Sequence, residues 1–327
     1  MDTATHIVMG IGLAGLATLD PVVASDPTTF QAVVIGATVG SVIPDIDTIL
    51  KLKNNAVYLR NHRGLTHSLP FTALWPFLLT LMLSSFFPAV HAPTLFFWTL
   101  FAVFLHVFVD IFNAYGTQAI RPISNRWIAL GIINIFDPFI FSLHIMGFII
   151  WSTAGHPGIT FATIYAILIV YYLLRTLQHH RTLAAVRRQL PGLTKVYLSP
   201  TMRWSHYHLA AESNNRFYVG KMDGMILHLI DSFKKHTIDS QNEWIQTAML
   251  DKNVRAFLSF SPIYQWSVVQ RKELTVVQFT DLRYFSKGMY PFTATVWVAN
   301  ATIQSSYTGW VFSEQKLRKK LALAQTK

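Results

Sequence analysis

The chain has 327 residues, 52% of them hydrophobic and only 13% charged, with a mean hydropathy of +0.35; an ordinary soluble domain carries about 25% charged residues, so the composition argues against a wholly soluble protein. It has no cysteine, which excludes a disulfide framework and any thiolate-held zinc or iron–sulfur centre. The net charge of +11 is unevenly placed: residues 1–180 hold seven Lys or Arg against seven Asp, while the whole excess and every Glu lie in residues 181–327.

The neutral half reads as membrane-embedded. Gly64 to Val109 contains no Lys, Arg, Asp or Glu, and Trp127 to Leu174 contains only Asp137. Both runs exceed the roughly 20 residues that cross a bilayer. Apolar segments predict six spans, near 5–23, 30–48, 68–88, 95–114, 137–153 and 159–175. The first has no basic leader, since Met1 to His6 carries Asp2 and no Lys or Arg, and is expected to remain in the mature protein. Lys51, Lys53, Arg60 and Arg63 lie between the second and third spans, Arg121 and Arg126 between the fourth and fifth, and Arg175, Arg181, Arg187 and Arg188 after the sixth. The alternate connections, around Asp20–Thr29, Pro88–Pro93 and Gly155–Gly158, have no Lys or Arg. By the charge bias of cytoplasmic loops, both termini are then cytoplasmic.

Gln178 to Leu190 reads as a basic helix leaving the membrane, stopped by Pro191-Gly192. Beyond it, β-branched and aromatic runs predict strands at 196–198, 216–219, 226–230, 263–269, 274–279 and 293–303. Helices are expected at 243–258 and 313–323. The expected fold class is thus an α-helical multi-pass membrane domain of about six spans (1–177), a basic juxtamembrane linker (178–192) and a small α+β cytosolic domain (193–327). That last domain is large enough for its own core. No recognised nucleic-acid motif accompanies its positive charge.

Ionisable residues within spans are costly and point to function. Here they share one side: His6 opens span one, Asp45 and Asp47 close span two, and His62, Arg63, Thr66 and His67 open span three. His106, Asp110 and Asn113 occupy the last turns of span four, and Asp137 opens span five. His106 and Asp110 are four apart and Asn113 three further on, so all three project from one helical face. Taken singly, each residue has a plainer role. His6 reads as an interfacial anchor, His106 and Asp110 as a hydrogen-bonded helix pair, and Asp137 as the cap of a helix starting at Pro138. Their convergence at one membrane face predicts instead a shared metal or proton site of imidazole and carboxylate ligands. Such ligands suit zinc, manganese or iron.

Thr5-His6, Pro44-Asp45-Ile46-Asp47, His62-Arg63-Gly64-Leu65-Thr66-His67-Ser68, His106-Val107-Phe108-Val109-Asp110, Asn113-Ala114-Tyr115-Gly116-Thr117 and Asp137-Pro138 together resemble the bacterial membrane-bound metal-dependent hydrolase family, which includes a DNA-damage-induced (LexA-regulated) inner-membrane protein. The resemblance covers roughly residues 1–150. It implies a bacterial cell-membrane location, a divalent-metal cofactor and His6, Asp45, Asp47, His62, His67, His106 and Asp110 as site residues. Thr48 departs from it, since many members have His there.

The expected activity is hydrolysis at the cytoplasmic surface, on a lipid or lipid-linked phosphoester. The metal ligands are His6, Asp45, Asp47, His67, His106, Asp110 and Asp137, and the catalytic group is His62, Arg63 and His67. In that group Arg63 engages an anionic phosphate and a histidine moves protons. Thr66 and Asn113 support the site. No GxxxxGKS loop, GxSxG elbow or HExxH helix is present, so P-loop, serine-esterase and zincin chemistry lose support. A rival reading is a non-catalytic sensor or regulator signalling through the basic domain. Transport is weaker, because no polar path continues to the other face.

Overall fold

The structure, a computed structural model, describes residues 1–235, 242–271, 274–286 and 288–325. The chain forms two units. The first is Met1–Asp47, His62–His180 and Pro200–Trp204; the second is Thr48–Asn61, Arg181–Ser199 and Ser205–Lys327.

The first unit is helical: α1 (Thr3–Leu16), α2 (Pro21–Ser25), α3 (Pro27–Gly40), then, after α4 (Asn55–Asn61) of the second unit, α5 (Leu69–Phe86), α6 (Ala92–Ile111), α7 (Pro138–Ala154) and most of α8 (Pro157–Gln189). Aspartate starts four of these helices. Asp2 accepts from the Thr5 amide, Asp20 from Val22, Asp26 from Thr28 and Thr29, and Asp137 from Phe139 and Ile140. In the last three a proline follows at the first helical position, where its missing N–H costs nothing.

Helices stand near all six expected places, but the expectation of six spans is corrected. Among the described residues only α5, α6 and α8 are long and apolar enough to cross a bilayer, or four spans if α3 and the 3₁₀ segment Ile43–Leu52, bent by 46°, count as one. Helices α1 and α7 have 14 and 17 residues, about 21 and 26 Å at 1.5 Å per residue against a hydrocarbon core of about 30 Å. Helix α1 packs on α3 and α7, and α3 and α5 pack on α6. Small residues allow the close approach: a Cβ on Gly10 of α1 meets the Ala37 carbonyl of α3 at 2.8 Å and the Ser41 hydroxyl more closely still.

The second unit holds two four-stranded sheets. The first runs β1 (Leu193–Pro200), β2 (His206–Ser213), β3 (Arg216–Asp223), β4 (Ile226–Lys234). Ala185 and Val186, in the last turns of α8, pack with Leu198, Tyr207, Leu209 and Met222 of this sheet. The basic stretch after residue 178 is therefore no separate helix up to Gln189; it continues α8, whose 33 residues extend about 50 Å. After α9 (Glu243–Leu250) and α10 (Lys252–Phe260) comes the antiparallel meander β5 (Tyr264–Arg271), β6 (Leu274–Asp281), β7 (Phe292–Ala299), β8 (Thr302–Trp310), and finally α11 (Glu314–Gln325). Val277, Phe279, Phe292, Ala294, Val296 and Val298 pack with Ala248, Val254 and Phe257 of α9 and α10, and with Leu59 of α4.

Three local expectations change. The strand expected over 293–303 is a hairpin, because Asn300 and Ala301 take φ of 51° and 58° and turn the chain between β7 and β8. Strand β2 was not foreseen. The helix expected over 243–258 breaks at Asp251, whose carboxylate caps α10 through the Asn253 and Val254 amides at 2.7 and 3.1 Å and also accepts from the Ser306 hydroxyl at 2.8 Å. Asp251→Ala removes a buried cap and its tie to β8, and is expected to cost about 1–2 kcal/mol. The check is a lowered melting temperature of the second unit in the detergent-solubilised protein; an unchanged melt refutes it.

Candidate metal centre

The first unit gathers its buried polar residues at one end of its helices. Helix α3 ends before Pro44, and the chain continues as the 3₁₀ segment Ile43–Leu52. In a helix of about 3.0 residues per turn, positions i and i+2 diverge by about 120°, so Asp45 and Asp47 face different partners. Asp45 turns to His67 and His106, whereas Asp47 receives His62 Nδ1 at 2.7 Å, the Arg63 amide at 3.0 Å and the Thr66 hydroxyl at 2.8 Å. Arg63 has a left-handed backbone, φ 58°. Its amide is held by Asp47, and its carbonyl accepts from the Gln118 amide at 2.9 Å and the Thr117 hydroxyl at 3.0 Å. Those bonds support a conformation that non-glycine residues seldom adopt.

Helix α6 brings His106 and Asp110 to the same place. Asp45, His67, His106 and Asp110 form a group in which one ligand atom from each lies within 4.8 Å of the others. His67 Nε2 and His106 Nε2 are 3.2 Å apart; His67 Nε2 lies 3.5 Å from Asp45 and 3.6 Å from Asp110, and His106 Nε2 lies 3.8 Å and 3.7 Å from the same two. Four ligands at bond lengths of about 2.0–2.1 Å around a tetrahedral ion stand roughly 3.3–3.4 Å from one another. The group is thus near the size of a metal's first coordination sphere. Asp45 Oδ1 and Asp110 Oδ2 are buried, and neither accepts a well-aligned hydrogen bond among the described residues, although Arg63 lies 3.3 Å from Asp110 Oδ2 as an ion pair.

The hydrogen bonds around the group fix which ring nitrogens carry protons. His106 Nδ1 lies 2.6 Å from the Ser41 carbonyl, which only accepts, so the proton is on Nδ1. The Thr66 hydroxyl gives its one proton to Asp47, and therefore accepts from His67 Nδ1 at 3.1 Å. In the neutral rings both Nε2 atoms then carry lone pairs directed at each other and at two carboxylate oxygens. Burial holds His67 below the ordinary histidine range, against the upward pull of Asp45. A cation is what such a convergence of lone pairs accommodates.

Not every expected residue joins this group. Asp45, Asp47 and His62 form a second cluster sharing Asp45, but Asp47's oxygens already hold three donors, and His62 is the partly exposed member. His6 stacks on His106, centroids 3.8 Å apart, and its Nε2 lies 3.4 Å from Asp110 Oδ1. It stands beside the four-atom group. Asp137 is placed elsewhere: it caps α7 and accepts the Tyr171 hydroxyl at 2.6 Å. Arg63 is buried, with its guanidinium 3.3 Å from Asp110 Oδ2 and hydrogen-bonded to the Met1 and Gly116 carbonyls, so it acts as a counter-charge to Asp110. Asn113 donates to Asp110 at 3.2 Å while accepting from the Tyr115 and Gly116 amides, each at 2.9 Å. Both clusters form with Thr48 in place. Sequence reasoning missed the Ser41 carbonyl, a backbone group with no side-chain signature, and the Met1 ammonium, which contacts Asp110 and lies 3.0 Å from His6 Nε2.

No solved structure matches the chain. Residues 191–233 match the YfhP middle domain and residues 243–321 the YfhP C-terminal alpha/beta plait domain. The uncharacterized protein YfhP of Bacillus subtilis (strain 168) is 51% identical over 326 residues, 99% of each chain. Residues 1–182, where the buried histidines and aspartates lie, match the family described as YdjM inner membrane protein; the chain therefore belongs to the YdjM inner membrane protein family.

Proposed function

We propose that the chain is a metal-dependent hydrolase of the bacterial membrane, with its site at the cytoplasmic ends of the helices and a lipid or lipid-linked phosphoester as substrate. The observation that carries this reading is the set of four lone-pair atoms from Asp45, His67, His106 and Asp110, spaced as a metal's ligands are. Two imidazoles and two carboxylates fit zinc best, with manganese or iron as alternatives. When bound, such an ion supplies Lewis acidity to ester or phosphoester hydrolysis.

The remaining residues define the other roles. His62, partly exposed and with its Nδ1 on Asp47 at 2.7 Å, is oriented to take a proton from water at Nε2, and its ring centre lies 6.4 Å from that of His67. Arg63 balances Asp110 and leaves Asp45 as the partly accessible carboxylate of the group. The cytoplasmic assignment rests on Lys51, Lys53, Arg121 and Arg126 in the connections at this end of the helices. With four crossings, α3 and the bent segment after it counted as one, the same charge bias puts both termini inside.

The test compares wild type with His62→Ala and His106→Ala in detergent, reading metal content and hydrolysis of a panel of lipid phosphoesters. Wild type should hold metal and turn over at least one ester. His62→Ala should keep the metal but lose about 10²–10⁴-fold in rate, the usual contribution of a positioned acid–base group. Metal-replete wild type without turnover on any ester overturns the hydrolase reading and favours a sensor.

A further inference from the structure

The loop between β1 and β2, Pro200–Trp204, joins two strands of the second unit, yet it packs within the first. The Trp204 carbonyl accepts from Arg175 Nη1 at 2.5 Å and from Gln178 Nε2 at 2.9 Å, which fixes the loop beside one turn of α8. The Trp204 ring lies 5.4 Å from the Tyr171 ring, with the Arg175 guanidinium 5.0 Å from its centroid. Phe139 stacks on the other side of this set, 4.6 Å from Tyr171.

That turn of α8 is where the chain changes solvent. Leu173, Leu174 and Leu177 are exposed apolar residues, whereas Gln178, His179, His180 and Arg181 follow directly. A tryptophan pinned at the junction sits at the level where aromatic residues collect in membrane proteins, with an apolar ring on one side and a polar edge on the other. The loop also leaves apolar surface uncovered. Met202 is 67% exposed and Trp204 49%, with Arg203 exposed between them. A water-facing turn gains nothing from that pair. A bilayer interface takes both apolar side chains, and Arg203 reaches the phosphate layer with its stem on apolar surface.

We propose that Pro200–Trp204 is an interfacial membrane anchor, seating Met202 and Trp204 at the headgroup–acyl boundary and Arg203 on lipid phosphate. The occupant is the bilayer, because the loop is bonded to Arg175 and Gln178, and Leu174 and Leu177, the residues just before these two in the chain, are themselves exposed on a helix long and apolar enough to cross a membrane. The anchor fastens the β1–β2 connection to the membrane at a second point besides α8 itself, and it does not depend on any catalytic role.

The chain has no cysteine, so single labels can be read without background. In the full-length protein, Met202→Cys and, separately, Arg203→Cys carry a nitroxide in phosphatidylcholine–phosphatidylglycerol vesicles. Asn214→Cys in the exposed β2–β3 turn serves as the aqueous reference, and Leu174→Cys on α8 as the lipid reference. The expected result is that the Met202 label loses collisions with a water-soluble nickel chelate and gains collisions with oxygen, approaching Leu174, while the Arg203 label lies between the references. Nickel accessibility at Met202 equal to that at Asn214 overturns the anchor. So does shielding of Met202 from both reagents, which means that protein, such as a second copy of the chain, covers the loop.

Discussion

Purified wild type is expected to carry about one equivalent of transition metal and His106→Ala to carry none, read by mass spectrometry after dialysis against a weak chelator. The substitution removes one of the two nitrogen atoms from a group spaced at 3.2 to 3.8 Å, and among the described residues no other imidazole is in position to replace it; His6, though stacked on His106, directs its Nε2 to the other Asp110 oxygen. Asp110→Asn is a poorer test, because it also leaves Arg63 without its buried counter-charge, and breaking a buried pair costs about 3–5 kcal/mol. Two milder variants separate ligand from scaffold. Thr66→Val removes the acceptor that holds His67 in its tautomer, and metal affinity should fall about 10–100-fold, as for other outer partners of ligands. Asp137→Asn should retain metal at the wild-type level, since that carboxylate caps a helix. Equal metal in wild type and folded His106→Ala refutes the site.

Gly10→Ala should destabilise the helical unit and weaken metal binding together, although alanine is the better helix former by roughly 1 kcal/mol. A methyl at this position lies 2.8 Å from the Ala37 carbonyl of α3 and closer to the Ser41 hydroxyl. Backbone of a neighbouring helix cannot step aside as a side-chain tip does. Overpacking of this kind costs about 1–3 kcal/mol, enough to outweigh the propensity gain. The displaced segment includes Ser41, whose carbonyl fixes the His106 ring, so the metal should be bound less tightly even though no ligand has changed. The checks are a lower melting temperature in detergent and a right-shifted metal titration. A melt raised by the substitution shows that helix propensity governs here.

The candidate site was legible because the membrane half is so poor in charge. It has seven acids, and Asp2, Asp20, Asp26 and Asp137 are spent on helix N-termini. Asp45, Asp47 and Asp110 remain, and all three meet histidines. The Asp-Pro pair already marked Asp137 as a cap, but its position at the same membrane face drew it into the ligand set. The different duties of Asp45 and Asp47 were not legible, because they depend on a 3₁₀ segment that hydropathy does not distinguish from the end of a span. Hydropathy also overcounted crossings, since it registers apolar composition and not the breaks after α1 and α3. In the second unit, alternation revealed most strands. Strand β2 escaped because His206-Tyr207-His208-Leu209-Ala210-Ala211 carries no β-branched residue, and the β7–β8 turn escaped because it is made by Asn300-Ala301 without a glycine.

Residues 48–61 bear on how the chain can be assembled and cut. Asp47 and His62 are bonded to each other, yet everything between them belongs to the second unit, where Asn55 donates to the Tyr307 hydroxyl and the Thr308 carbonyl at 3.1 and 3.0 Å and Leu59 enters the core beside α10. During synthesis α4 emerges some 250 residues before the strand that receives it, so the site's connecting loop must wait unpaired until β8 has been made. Residues 1–180 alone expose the packing face of α4, and residues 181–327 alone lack the helix that closes their core. The two halves are not modules separable at one peptide bond; a gene fusion or truncation that treats them so removes a structural part from each.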